Sequence, residues 1–133
     1  MSEASDYVEN QILNCYLNQT NITAPTNIYV GLHTADPTDA GSGAEVSGNG
    51  YARVEITDKF GTASGTGGSV SSNADITGFT ASGGNWGSVT HIGIYDASTS
   101  GNLLFHTALD SSATVNDGDS FQISSGNLTV TVA

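Results

Sequence analysis

Apolar positions along this chain follow two periods. Near the N-terminus, Val8, Ile12 and Tyr16 recur at four-residue steps, and Leu13 and Leu17 add a second row, the spacing of an amphipathic helix. Asp6 and Glu9 have the spacing of a capping box, and Asn18 is a suitable stop. A polar stretch over residues 20–26 reads as a linker, with Pro25 marking the entry to the first strand. From there the period is two. Ile28, Val30 and Leu32 share one face, as do Ala52, Val54 and Ile56. A long acidic loop, residues 34–50, separates these two runs, and loops of that length usually have a task.

Further on, residues 61–72 are rich in Gly, Ser and Thr and carry almost no core signal, whereas residues 74–79 read as a strand. The clearest hairpin joins residues 89–95 to 102–109 across the loop 96–101. Closing that loop at Asp96 and Gly101 sets Ile94 opposite Leu103, Ile92 opposite Phe105 and His91 opposite His106. A turn at Asn116-Asp117-Gly118-Asp119 opens the last two strands, 120–124 and 127–132, in which Leu128, Val130 and Val132 alternate strictly. About seven short strands behind one helix predict an all-β fold. The expected architecture is a single antiparallel β-sandwich or jelly-roll-like domain with an N-terminal α-helix. Residues 1–26 form the helix and linker arm, and 27–133 the sandwich. No internal repeat is present, which argues against a repetitive shaft.

Composition changes this picture in three ways. At 133 residues the chain is one domain able to bury a real core. Abundant Gly, Ser, Thr and Asn then reflect many turns and not disorder, because the alternation is regular. A single cysteine, Cys15, rules out an internal disulfide and paired-cysteine zinc sites. Charge is the third constraint. Arg53 and Lys59 stand against thirteen acidic residues for a net of −11. Two cations cannot track a phosphate backbone, so neither nucleic acid nor an anionic membrane is an expected partner.

Candidate chemistry is sparse. A three-histidine metal site would need His33, His91 and His106 on one surface. Asp36, Asp39 and Glu45 in the long loop, and Asp117 and Asp119 in the late turn, have the oxygen ligands that calcium uses but not the spacing of an EF-hand. Turn chemistry explains these carboxylates as well, so the expectation is no metal and no cofactor. No nucleophile elbow accompanies the Ser, His and Asp residues, and no paired glycosidase carboxylates stand out, so no catalytic residue is expected. Three Asn-X-Thr triplets, at Asn18, Asn21 and Asn127, are expected by chance in such a composition. Trp86, flanked by Gly84 and Gly87, reads as a core plug in preference to a binding hot spot.

Several segments carry a resemblance in preserved order: Tyr29-Val30-Gly31-Leu32-His33-Thr34-Ala35-Asp36-Pro37, Glu45-Val46-Ser47-Gly48, Gly50-Tyr51-Ala52-Arg53, the run from Asn85 to Ala97, and Gly101-Asn102-Leu103-Leu104. Through them the chain resembles a family of small tailed-phage virion proteins, labelled tail-fibre or head-decoration proteins. The resemblance implies a structural role without enzyme activity, in the virion, for a protein made in the host cytoplasm. It implies partners among copies of the chain itself and the major capsid protein or other virion proteins. A chain this short, without a shaft, suits a capsid decoration or cement protein. The alternative is a tail- or head-fibre protein that binds a receptor or glycan. The expected interface residues are Val8, Ile12, Leu13, Tyr16 and Leu17 on the helix, with Asp36 and Pro37 in the loop.

Overall fold

The computed structural model describes residues 2–65 and 67–132. Its elements in chain order are β1 (Glu3–Ala4), α1 (Asp6–Leu17), β2 (Tyr29–His33), β3 (Val54–Glu55), β4 (Ser69–Ser71), β5 (Ile76–Thr80), β6 (Gly87–Tyr95), β7 (Leu103–Val115), β8 (Ser120–Ile123) and β9 (Thr129–Thr131). All strand pairs are antiparallel. One five-stranded sheet has the order β1-β7-β6-β2-β3, and two two-stranded sheets, β4-β9 and β5-β8, complete the fold. The domain is an all-β sandwich with one N-terminal helix.

Alternation builds the core. Val30 and Leu32 of β2 and Val89, Ile92 and Ile94 of β6 point to one side of the large sheet. There they meet Ile76 and Phe79 of β5, Phe121 and Ile123 of β8, and Leu128 and Val130 at the end of the chain. Trp86 lies in the same cluster, as its sequence context predicts. Its indole N–H donates to the Asn49 carbonyl at 2.9 Å, and its ring stands edge-on to Tyr51 and Phe79.

Three local expectations are corrected. Helix α1 is capped by Ser5, not Asp6: the Ser5 hydroxyl accepts from the Val8 N–H, while Asn18 ends the helix as predicted. Ser5 caps because it is held in place, donating its own hydroxyl proton to the Leu103 carbonyl at 2.5 Å. Residues 69–71 form β4, because Ser69 and Ser71 pair their hydroxyls with Thr131 and Thr129 while Val70 alone faces the core. Ala52 is exposed and does not share a core face with the buried Ile56; Tyr51 and Arg53 turn inward instead, which shortens β3.

The β6-β7 hairpin has a different register from the expected one. Tyr95 pairs with Leu103 and Ile94 with Phe105, so Leu104 is an extra bulged residue. The bulge lets Leu104 join the core while Leu103 covers the other face. His91 consequently pairs with Ala108 on one side and His33 on the other, and His106 pairs with Gly93 and with Glu3 of β1. The expected His91–His106 pair does not exist.

Residues 2–5, placed by the sequence in the arm 1–26, lie at the edge of the large sheet. Ser2 and Ser5 are buried there, and the Thr131 N–H donates to the Ser2 hydroxyl at 2.8 Å. The helix that follows buries no residue completely, although Val8 packs against the core.

Candidate functional site

The face of the large sheet turned away from the core carries Gly31 and His33 of β2, His91, Gly93 and Tyr95 of β6, and Leu103 and His106 of β7. Gly31 and Gly93 are direct cross-strand partners. A Cβ on Gly31 would lie 2.6 Å from a Glu45 carboxylate oxygen, and one on Gly93 would lie 2.8 Å from Leu103 and 2.9 Å from the Tyr95 ring. The two glycines therefore form a flat floor on which larger side chains lie down. Gly93→Ala is expected to cost about 1–3 kcal/mol by overpacking, read as a lower urea midpoint.

The long loop roofs this floor. Thr34 N–H donates to the Ala44 carbonyl and Val46 N–H to the Leu32 carbonyl, both at 2.9 Å, so the chain returns to β2 after an excursion. Glu45 lands over Gly31. Arg53 grips it with two parallel bonds, Nε to Oε2 at 2.8 Å and Nη2 to Oε1 at 2.9 Å. The Tyr51 hydroxyl donates to the same carboxylate at 2.6 Å and accepts from the Leu32 N–H at 2.9 Å. The remaining Arg53 donor, Nη1, reaches the carbonyls of Ala97 and Ser100 at 2.8 Å each and so fastens the β6-β7 hairpin loop. The guanidinium carbon sits 3.5 Å from the Tyr95 ring centroid, a cation–π contact. Tyr95 in turn is hydrogen-bonded to His33 Nε2 at 2.8 Å.

Electrostatics follow from this geometry. Burial by itself would raise the Glu45 carboxyl, but bonds from Arg53 and Tyr51 outweigh it and hold Glu45 below its usual range. Burial pushes Tyr51 up, with Glu45 adding to it, and pushes Tyr95 up to about 12, so both remain hydrogen-bond donors. Burial lowers His33, favouring the neutral ring, and among the described residues its Nδ1 has no hydrogen-bond partner.

The sign of the pH dependence follows. Below the ordinary histidine value of 6.5 the unfolded chain takes up a proton that folded His33 resists, so stability falls with pH. Below the ordinary glutamate value of 4.5 the unfolded chain also protonates before folded Glu45, and stability falls further. Urea midpoints measured against pH should show both stages in the native protein, and His33→Gln should lack the upper one.

The expected interface residues are dispersed. On α1, Val8 and Ile12 are half-buried toward the domain, whereas Leu13, Tyr16 and Leu17 are 53, 77 and 75 % exposed and form one outward stripe. Beside the helix, a groove of about 400 Å³ runs between it, the linker and the sandwich, lined by Tyr7, Ile12, Ile22, Ile28, Phe60 and Phe105. Asp36 is exposed and close to His106. Pro37 is buried inside the chain. The three histidines do share one sheet face, but the groups in mutual reach are Glu3, Asp39 and His106. Sequence reasoning missed the Glu45–Arg53 pair. Its signal was one of only two basic residues sitting inside a strand pattern, opposite a loop that returns with a glutamate.

A family model described as podophage GP4 fiber I protein gp80 matches residues 3–131, from the edge strand β1 to the end of β9. The chain belongs to this family. The match spans the helix, the roofed face and both small sheets. Its membership makes it a virion structural protein of a tailed phage, in agreement with the resemblance carried by the sequence. No curated protein matches the chain. Among the described residues, no helix is long and apolar enough to cross a membrane.

Proposed function

We propose that this protein is a non-catalytic subunit of a virion fibre, joined through its N-terminal helix to copies of itself and to a neighbouring virion protein. The observation that carries the reading is the outward stripe of Leu13, Tyr16 and Leu17. Three large apolar side chains on one side of a short helix gain nothing from water, and covering them supplies a driving force for assembly. Small exposed loops and a net charge of −11 keep free copies apart until the stripe is covered. The family description supports placement in a fibre.

A second reading is a capsid decoration protein packed on the major capsid protein. The compact sandwich favours it, since the chain has no repeat with which to build a shaft. Copies per particle separate the two. A low count set by the cyclic symmetry of an appendage supports the fibre, and a count matching the shell subunits supports decoration.

The charge also sets a salt dependence. Carboxylates on neighbouring copies repel over a Debye length of about 8 Å at physiological ionic strength. Added salt should therefore promote association of purified protein in sedimentation. Dissociation by salt would point instead to a basic partner surface.

A further inference from the structure

Away from the helix stripe, three separate segments converge on one imidazole. His106 of β7 is only 4 % exposed. Its Nε2 faces Asp39 Oδ1 of the long loop at 2.8 Å and Glu3 Oε2 of β1 at 3.8 Å. Its Nδ1 faces Asp36 Oδ1 at 3.7 Å. Among the described residues the ring makes one hydrogen bond, to Asp39, with Glu3 and Asp36 just beyond hydrogen-bond distance. We infer that Glu3, Asp39 and His106 bind a divalent first-row transition ion, of the zinc or manganese kind, at the edge of the large sheet.

Geometry supports the ligand set. One donor atom from each residue lies within 4.8 Å of the others, close enough for a common ion after small side-chain adjustments. The second ring nitrogen matters as much. A metal-bound histidine ordinarily gives its other N–H to a carboxylate, which fixes the tautomer and aims the ligating nitrogen. Asp36 lies on that side, 3.7 Å from Nδ1, and would have to close by under 1 Å to take this role. It is itself oriented, accepting from the Thr38 N–H at 2.8 Å.

Charge points the same way. Glu3, Asp36 and Asp39 crowd one buried ring, and no Lys or Arg pairs with any of them among the described residues. Arg53 is spent on Glu45 and on two loop carbonyls. A dication at the Nε2 side would relieve the repulsion. The donor set selects its class. An imidazole nitrogen with carboxylate oxygens suits zinc or manganese, whereas calcium prefers an all-oxygen shell. Three protein ligands leave the remaining positions to water. Bound there, the ion would tie the N-terminal strand and the long loop to β7, closing the sheet edge immediately before the helix.

The test uses the full chain, stripped of metal by a chelator and titrated with zinc or manganese chloride. Calorimetry should report one ion per chain. Thermal unfolding should show a rise of roughly 10 °C in Tm at an ion concentration about a hundredfold above Kd, with little response to calcium. Glu3 is two-thirds exposed, so Glu3→Gln keeps the fold and should weaken binding about tenfold or more. Asp39→Asn should do the same, and Cys15→Ser should leave binding unchanged. Absence of binding by both ions overturns the inference. So do affinities unchanged in Glu3→Gln and Asp39→Asn, binding lost with Cys15→Ser, or calcium binding more tightly than zinc and manganese.

Discussion

Arg53→Ala is expected to lower stability by about 3–4 kcal/mol and Tm by roughly 10–15 °C. The Arg53 side chain is 7 % exposed and that of Glu45 is 24 % exposed, so removing the cation leaves a carboxylate mostly out of water with only Tyr51 to answer it. Two further losses add to this one. The carbonyls of Ala97 and Ser100 lose their donor, and the Tyr95 ring loses the guanidinium stacked on it. The hairpin loop should loosen, and amide exchange at residues 96–101 should accelerate more than at β2. Thermal unfolding read against the double variant Glu45→Gln/Arg53→Met isolates the unpaired-charge part. That variant removes both charges and should lose clearly less than the single one. Equal losses in the two would mean that the pair matters only through its packing.

Leu13→Glu with Leu17→Glu is expected to abolish assembly while leaving the fold intact. Both side chains are more than half exposed, so their replacement should change stability by no more than about 0.5 kcal/mol. A covered stripe would instead receive two buried charges per copy, too costly for an interface to absorb. Sedimentation of the purified variant should show single chains under conditions where the native protein associates, and particles should lose the protein. Val8→Asp is the contrast. Val8 packs against the core, so that variant should unfold the helix from its own domain before it affects any neighbour. Association undiminished in the double variant would mean that the helix is a bystander and that copies meet elsewhere.

The parts of the fold that could be read from sequence are those in which aliphatic side chains occupy one face only, even where the other face is covered too. Val30 and Leu32, Ile92 and Ile94, and Leu128 and Val130 alternate because their opposite neighbours do not enter the core, and period two shows it. Where apolar side chains are sparse, the pattern fails. Strand β4 offers a single apolar side chain, Val70, between hydroxyls. Its pairing energy lies in backbone and Ser–Thr bonds that leave no hydrophobic trace.

Register was the other gap. A bulge at Leu104 moves the residues of β7 from Phe105 to Ala108 by one step, a second irregularity follows before Ala113, and adjacent leucines give no hint of which is extra. Together with a hairpin that closes at Tyr95–Leu103, one step from the expected Ile94–Leu103, the bulge sets His106 opposite Gly93, two residues from His91, while β1 on the other edge of β7 brings Glu3 to it. The helix stripe was legible because helical spacing is local. The Glu45–Arg53 grip was not, because it depends on where a long loop returns.

The bond between Thr131 and Ser2 places residues 2 and 131 side by side. Segments joined before residue 2 and after residue 131 therefore leave from neighbouring points, close to the start of α1. A short peptide bridge between the ends should be tolerated without disturbing the sheets, and new ends could be opened in the exposed stretch 61–65 on the rim.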